Sequence, residues 1–179
     1  MSVFIGIDIG LEGAMAAVDS RGSCQIADLP VIADGKSNRL DGRGLILLLR
    51  QFVPVGVHCV VAFEDVRARP AGNGGSHGNS MHSQGSLMRS RGIVEAVLDI
   101  ARVERKVVQP QTWKKHFGLI KKSKDDARLK ALELYPLQAH ELRLKKHHNR
   151  GDACLIATVA LGKYASATNP TRSRAASSR

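Results

Sequence analysis

The sequence contains no apolar run approaching the ~20 residues that a membrane-spanning helix requires. It also lacks the pattern of a signal peptide, because the first basic residue, Arg21, follows the first apolar segment and does not precede it. We therefore expect a cytoplasmic protein with no membrane partner.

Cysteine is scarce, and its spacing matches no metal-binding motif. Cys24, Cys59 and Cys154 are far apart, lie among apolar neighbours and form no C-x-x-C pair. This pattern implies no zinc site and predicts reduced thiols in the protein core, as expected in the cytosol.

Acidic residues are few compared with basic ones. The 179 residues include 16 Asp and Glu against 27 Lys and Arg, which gives a formal net charge of +11. A polyanionic partner is the simplest explanation, because each neutralised phosphate releases counterions and so contributes to affinity. A solvated basic surface without a ligand is the alternative. The length predicts one domain, residues 1–165, followed by a basic tail, 166–179, for which we expect disorder.

Three of the few acids lie where burial is expected. Asp8 lies in an Ile-rich apolar run of strand length, and Glu64 ends a Val-rich strand. Asp152 precedes an apolar helical segment and is predicted in its first turn, near the positive end of the helix dipole. A buried charge costs several kcal/mol unless a partner compensates it. The structural alternatives are a turn at Asp8 and a capping box in which Asn149 caps the helix of Asp152.

The three carboxylates converge if the two strands are adjacent and the helix begins at the same edge of the sheet. Such a cluster repels itself unless cations occupy it, and Mg²⁺ prefers oxygen ligands of this kind. Two ions ~4 Å apart would clamp a phosphodiester, one activating a water and the other stabilising the leaving 3′ oxygen. Acids that hold metal, in a basic protein that holds a nucleic-acid backbone, predict a nuclease.

Strands and helices alternate along the predicted chain. Three short strands with antiparallel connections end at Leu29. After them we expect a loop at 34–38, a helix at 44–52, a strand at 57–66, a helix at 87–101, a strand at 105–108, an amphipathic helix within 114–146 and a final helix that contains Asp152. The helix at 87–101 has a wide apolar arc, which indicates either deep burial or a subunit interface.

Basic residues cluster in two parts of the chain. The first is a Gly-, Ser- and His-rich loop, 67–84, which lacks the Gly-Lys-Ser/Thr of a P-loop and is long enough to be functional. The second extends from Lys114 to Lys146, where some lysines form the solvated face of an amphipathic helix. Trp113 lies beside this second cluster. Two interpretations are open for it: stacking on a base, or packing in the core. The residues predicted to contact DNA are Arg67, Arg69, His77, Arg89, Arg91, Lys114, Lys115, Lys121 and Lys122.

Four segments resemble the RuvC-type Holliday junction resolvases of the ribonuclease-H-like superfamily, especially their phage and prophage relatives. They are residues 4–10, 62–64, the Gln-Pro-x-x-Trp-Lys-Lys stretch at 109–115 and Arg-Gly-Asp-Ala at 150–153. The resemblance extends from about Val3 to Tyr164, and its most specific parts are the last two segments.

This resemblance implies an α/β, ribonuclease-H-like fold with a central mixed five-stranded sheet, three antiparallel strands and then parallel strands, flanked by helices. It also implies a crossover junction endodeoxyribonuclease: a homodimer that binds DNA four-way junctions and nicks two strands symmetrically with Mg²⁺, or with Mn²⁺ in its place. Asp8, Glu64 and Asp152 match the metal-binding acids of the family. The resemblance points to the bacterial cytoplasm, host or phage-borne, and leaves a branch-migration helicase open as a further partner.

The sequence departs from the family pattern at one catalytic position. Family members usually place a fourth acid, sometimes His, three or four residues before the last Asp, and here those positions hold Asn149 and His148. We assign the fourth catalytic role to His148, with His147 and Asn149 as alternatives, because His148 shares a helix face with Asp152 if the helix extends that far back. A neutral imidazole could ligate the metal or transfer a proton, and a solvated or phosphate-contacting histidine is the alternative.

Two other functions share some of these features. A non-catalytic module that binds branched DNA would have the same basic surface. An ATP-binding domain of the actin and sugar-kinase type would also place Ile-Asp-x-Gly on its first strand. The chain is too short for the paired halves of that fold and lacks the second phosphate loop, so we favour the nuclease.

Overall fold

The chain folds into alternating strands and helices over residues 2–67 and 81–165, the part that the computed structural model describes. In chain order the strands are β1 (Ser2–Asp8), β2 (Ala14–Asp19), β3 (Cys24–Asp28), β4 (Val31–Asp34), β5 (Ser37–Leu40), β6 (His58–Glu64) and β7 (Glu104–Val108). The helices are α1 (Gly42–Phe52), α2 (Met81–Ile100), α3 (Pro110–His116), α4 (Lys124–Leu134), α5 (Ala139–Leu142) and α6 (His148–Tyr164), with 3-10 turns at Pro136–Gln138 and Lys145–His147.

Five strands form a central mixed sheet in the spatial order β3-β2-β1-β6-β7. The β1–β2 and β2–β3 pairs are antiparallel, and the β1–β6 and β6–β7 pairs are parallel. Short turns join the antiparallel strands, whereas α1 and α2 provide the longer crossovers that parallel neighbours need. The predicted mixed five-stranded sheet is therefore confirmed.

The sheet separates two hydrophobic cores. Side chains alternate between the faces of a strand, so β1 and β6 contribute to both cores. Phe4 and Val60 pack on the face that α6 covers. Ile5 and Phe63 pack on the opposite face, against α1 and α2. The two central strands are thus buried on both sides, as their continuous apolar sequence predicted.

Helix α6 lies against the centre of the sheet, with a close contact at Gly6 of β1. A Cβ atom at Gly6 would lie 2.1 Å from the carbonyl oxygen of Ala153 and 2.4 Å from the nitrogen of Ala157. Only glycine permits this approach, because any side chain would collide with the helix backbone. The contact fixes the position of α6 relative to the end of β1.

The segment predicted as a loop at 34–38 is instead the turn of a β-hairpin. β4 and β5 pair antiparallel, with Asp34 opposite Ser37, and Gly35 takes a φ of 62° in the turn. The two residues of the turn are Gly35 and Lys36, and glycine suits the first of them because it tolerates positive φ. The prediction was wrong because each strand has only four residues and little apolar character. Leu40 is fully buried and anchors the hairpin.

Helix α6 begins earlier than the sequence indicated. It starts at His148, so Asp152 lies in the second turn and the prediction of the first turn was wrong. Asn149 lies inside the helix, and its Nδ2 donates a hydrogen bond of 2.7 Å to the carbonyl oxygen of Glu12. The capping-box alternative is therefore excluded, because a preceding 3-10 turn takes the chain directly into α6.

Helix α2 also begins early, at Met81 and not at residue 87. The helix thus includes the last residues of the predicted loop. The predictions that lie outside the described residues are those for Arg69, His77, the remainder of the loop at 68–80 and the tail at 166–179.

The cysteines of the described chain are free thiols. Cys24 and Cys154 are buried, with their Sγ atoms 3.8 Å apart, which confirms the prediction of core thiols for this pair. Cys59 is half-buried, and desolvation raises its pKa to about 12. None of the helices within residues 2–67 and 81–165 combines the length and apolarity needed to cross a membrane.

Candidate active site

Asp8 and Glu64 are neighbours at the ends of two parallel strands. Ile7 of β1 pairs with Phe63 of β6, so the next residue of each strand lies beside the other. Asp8 is two residues beyond Gly6, which contacts α6, and side chains at this spacing share a face of the sheet. The element order and strand register therefore place both carboxylates at one sheet edge, on the side of α6.

Asp152 approaches the same edge from α6. It directly precedes Ala153, whose carbonyl oxygen lies against Gly6 of β1. The Oδ1 atom of Asp152 is buried and has no hydrogen-bond partner among the described residues. A buried polar atom without a partner is unfavourable, so this oxygen is available to a ligand.

The pKa values of Asp8 and Asp152 show that both aspartates feel the charge of a neighbouring carboxylate. The pKa of Asp8 is raised well above its ordinary value, first by burial and then by the charges of Asp152 and Glu64. Burial raises the pKa of Asp152 to about 7, and the charge of Glu64 adds to this effect. Lys114 and Lys124 lower the pKa of both aspartates. The structure thus brings the three acids to one edge, in a setting that disfavours the negative charge of Asp8 and of Asp152.

Trp113 holds Glu64 in place. The indole Nε1 donates a hydrogen bond of 2.9 Å to Oε1 of Glu64, and the tryptophan is 1% exposed. Pro110 begins the short helix α3, on which Trp113 is the buried residue. The sequence left stacking and packing open for Trp113. The structure shows packing, together with a hydrogen bond to a candidate site residue that the sequence did not predict.

His148 lies four residues before Asp152 on α6, so the two share a helix face. Its Nδ1 is buried without a hydrogen-bond partner in the described part of the chain, and the same is true of Nδ1 of His147. Asn149 is already hydrogen-bonded to a backbone carbonyl. His147 lies in the field of Arg150, and burial followed by this charge lowers its pKa. The helix face that it shares with Asp152 is what favours His148 over the two alternatives for the fourth position.

The donor atoms at this edge suit a hard divalent cation, although they do not form a complete cage. Carboxylate oxygens are the ligands that Mg²⁺ prefers. Across residues 2–67 and 81–165, no group of three or more His, Cys, Asp or Glu side chains is arranged to hold a metal ion. Mg²⁺ commonly binds through one or two carboxylates, with waters and substrate phosphates as further ligands. The unpaired Oδ1 of Asp152 and the raised pKa of Asp8 fit a cation that binds together with a phosphodiester.

Two lysines lie close enough to the acids to change their titration. Lys114 and Lys124 both lower the pKa of Asp8 and of Asp152. The Nζ atom of Lys114 is 5.2 Å from the centre of the Trp113 ring. Lys114 was among the predicted DNA contacts. Lys124 was missed, because its position depends on how α4 packs against α6 and no local pattern encodes that packing.

The other predicted lysines lie on the surface next to this group. Lys115, Lys121 and Lys122 are exposed, on α3 and on the turn that leads to α4. They extend the basic surface away from the acids, where a nucleic-acid backbone has access to them.

The three predicted arginines in the described chain form ion pairs. Arg67 and Arg91 both bind Asp65, at 2.7 and 3.1 Å, and Arg89 binds Asp34 at 2.7 Å. The side chain of Arg91 is 23% exposed and holds the segment after β6. The side chains of Arg67 and Arg89 are 76% and 50% exposed, so part of each guanidinium group is open to a phosphate while its ion pair is kept.

Solved structures with similar architecture identify the fold. The structure described as T. thermophilus RuvC in complex with Holliday junction substrate matches with a TM-score of 0.56 and 14% identity, covering 94% of this chain and 97% of that chain. A Thermus thermophilus RuvC structure matches with a TM-score of 0.51 and 19% identity, covering 92% and 96%. The fold is RuvC-like. No protein-family model and no curated protein matches the sequence.

The RuvC-like fold confirms the predicted α/β, ribonuclease-H-like class. It also confirms, at the level of structure, the resemblance to RuvC resolvases that four short segments indicated. The match covers more than nine-tenths of both chains. At this low identity the likeness establishes the fold, and the roles of the site residues are argued from their geometry.

Proposed function

We propose that the protein is a DNA endonuclease that resolves four-way (Holliday) junctions by symmetric, divalent-metal-dependent hydrolysis of phosphodiester bonds. The observation that carries this proposal is the meeting of Asp8, Glu64 and Asp152 at one sheet edge of a strongly basic protein. The RuvC-like fold supports it, because a RuvC of this fold is in complex with a Holliday junction substrate.

The three acids are the proposed metal ligands. Asp8 and Asp152 have raised pKa values because burial and neighbouring charge disfavour their ionised forms. Such perturbed carboxylates cluster at functional sites, where a bound cation offsets the repulsion between them. Glu64 completes the set, held in position by its hydrogen bond from Trp113.

The chain's own residues supply binding, orientation and proton transfer. When bound, Mg²⁺, or Mn²⁺ in its place, with two ions per site, would supply Lewis-acid stabilisation and a water of lowered pKa. Lys114, beside the acids, would neutralise charge on the phosphate at the cut. His148 would take a proton from the attacking water or give one to the leaving 3′ oxygen, since its Nδ1 has no partner in the described chain.

DNA is the proposed partner of the basic surface. The residues assigned to its backbone are Arg67, Arg69, His77, Arg89, Arg91, Lys114, Lys115, Lys121 and Lys122. Symmetric nicking requires two active sites related by a two-fold axis, which a homodimer provides. Leu47 of α1 and Ile100 of α2 expose 57% and 73% of their surface, which offers apolar area for such an interface. The proposed setting is the bacterial cytoplasm.

A cleavage assay tests the proposal. Synthetic four-way, three-way and linear DNA, each labelled on one strand at a time, are incubated with the protein in Mg²⁺, Mn²⁺ or EDTA. We expect paired nicks at symmetric positions of the four-way junction, and none in EDTA. Binding without cutting in either metal would favour the non-catalytic module. Micromolar ATP binding without DNA cutting would favour the ATP-binding domain.

A further inference from the structure

A groove with a volume of about 490 Å³ lies between the β4–β5 hairpin and the first half of α2. On the helix side its lining residues recur at helical spacing, at positions 82, 85, 86, 89 and 90. The basic residues that line it are Lys36, Arg39, His82 and Arg89. The other lining residues carry hydroxyl or amide groups or are apolar, and in the described chain none is a carboxylate. This chemistry suits an anion.

Both walls of the groove are fixed by contacts within the chain. Arg89 of α2 binds Asp34 of the hairpin at 2.7 Å and so joins one wall to the other. Leu40, at the end of β5, is fully buried in the core of α1 and α2. Nη1 of Arg39 donates a hydrogen bond of 3.1 Å to the carbonyl oxygen of Leu40. The groove is therefore part of the folded framework.

Gly85 leaves one position of the helical wall open. A glycine inside a helix makes the helix less stable than an alanine would. A Cβ atom at Gly85 would meet no described atom within 4 Å, so packing among residues 2–67 and 81–165 does not require glycine there. Glycine does allow a ligand to approach the helix backbone closely.

The groove reaches the same sheet edge as the acids. Leu11, one of its lining residues, is three positions beyond Asp8, in the segment after β1. The hairpin and α2 pack on the face of the sheet opposite α6, whereas Lys114 and Lys124 act on the acids from the α6 side. Basic residues therefore flank the acids on both sides.

We propose that this groove binds the phosphate backbone of the DNA duplex on one side of the cleavage point. Lys36 and His82 contact phosphates, Ser37 and Asn38 donate hydrogen bonds to them, and Gly85 lets the backbone approach α2. The choice of DNA as the polyanion rests on the proposed function. The groove itself is inferred from its lining, its fixed walls and its position.

Two substitutions that change the charge at Lys36 test the proposal. DNA binding is measured by fluorescence anisotropy, in Ca²⁺ and over a range of salt, for Lys36→Gln and Lys36→Glu. We expect the affinity to fall roughly threefold to tenfold for each unit of charge removed, and the salt slope of Lys36→Gln to fall by about one. Lys163, exposed near the end of α6, is the control, and its Gln and Glu variants should bind like the wild type. Equal effects at Lys36 and Lys163 would overturn the proposal, because net charge alone would explain them.

Alanine substitutions at two glycines of α2 give a second, independent test of the groove. Gly85→Ala should raise the melting temperature and weaken DNA binding, because its methyl group occupies space that the backbone needs. Gly92→Ala changes the same helix outside the groove, also in open space, and should raise the melting temperature alone. Sedimentation velocity is measured for both variants. A change in oligomeric state for Gly85→Ala would overturn the proposal, since a second subunit would then occupy the groove.

These experiments distinguish a failure of the groove proposal from a failure of the nuclease proposal. Wild-type protein that cuts junctions while the Lys36 variants bind normally would refute the groove and leave the nuclease intact. Protein that never cuts but shows the expected Lys36 and Gly85 effects would refute the nuclease and support the groove. Absence of any DNA binding by the wild type would overturn both.

Discussion

The indole Nε1 of Trp113 lies 2.9 Å from Oε1 of Glu64, so a buried residue of α3 restrains a carboxylate at the end of β6. Trp113→Phe keeps an aromatic ring and removes this hydrogen bond. We expect a loss of about 1–3 kcal/mol in the free energy of unfolding, because a bond to a charged group is removed. Cleavage should slow by at least about tenfold, because a loss of about 1.4 kcal/mol in transition-state stabilisation lowers the rate by that factor. Urea unfolding and kcat measurements on the same preparation check both values.

Tyr135→Phe is the matched control for this change. The hydroxyl groups of Tyr135 and Thr158 are 2.7 Å apart in a buried contact that involves none of the candidate acids. This variant should lose comparable stability and keep its cleavage rate. If Trp113→Phe behaves in the same way as Tyr135→Phe, the hydrogen bond to Glu64 has no catalytic role.

The raised pKa of Asp152 predicts an unusual dependence of stability on pH. Its pKa rises from 3.8 to about 7 on folding, so between about pH 4 and pH 7 the folded state binds more protons than the unfolded state. The contribution of Asp152 to the stability of the folded state is therefore fully present below about pH 4 and is lost as the pH rises through about 7. In EDTA, Asp152→Asn should gain stability relative to the wild type over this window, by a few kcal/mol at most. Urea unfolding at several pH values measures the difference, and a constant difference would refute the assignment.

His148 should act in proton transfer or metal binding. We expect His148→Ala to lower kcat by about 10²- to 10⁴-fold, the usual range for a general acid or base, and to flatten the pH–rate profile. His147→Ala and Asn149→Ala should change kcat much less, because those side chains lie in the field of Arg150 or bind a backbone carbonyl. A larger loss of kcat in His147→Ala than in His148→Ala would show that His147 has this role.

Lys114 should set the pH at which the site becomes active. Its charge lowers the pKa of Asp8 and of Asp152, so Lys114→Gln should raise both values and move the acid limb of the pH–rate profile to higher pH. Lys122→Gln removes the same charge from the exposed turn and should weaken DNA binding without moving that limb. Identical profiles for the two variants would show that Lys114 contributes only to binding.

Local sequence patterns were sufficient to predict the two strands that carry Asp8 and Glu64. The runs that end at these residues are apolar enough to predict strands, and their carboxylates were expected to converge if the two strands are adjacent. The pairing of Ile7 with Phe63 agrees with that expectation. The start of α6 was less predictable, because a 3-10 turn precedes His148 and hides the boundary.

Contacts between distant residues could not be predicted in the same way. Trp113 and Glu64 are 49 residues apart, and their hydrogen bond depends on how α3 packs against the sheet. The effect of Lys124 on the acids likewise depends on the packing of α4. The β4–β5 hairpin did have a local signal, the glycine at the first position of its turn, but four-residue strands with polar side chains are easily taken for a loop.

The central claim is that Asp8 belongs to a metal-dependent site that cuts branched DNA. The most direct test is Mg²⁺-dependent cleavage of a synthetic four-way junction by the wild type, Asp8→Asn and Asp99→Asn, with junction binding measured in parallel in Ca²⁺. Asp99 is an exposed acid paired with Arg105, so its variant controls for loss of one negative charge. We predict symmetric nicks from the wild type and from Asp99→Asn, and none from Asp8→Asn, while all three bind the junction. Cleavage by Asp8→Asn at the wild-type rate, or no cleavage by the wild type, would contradict the claim.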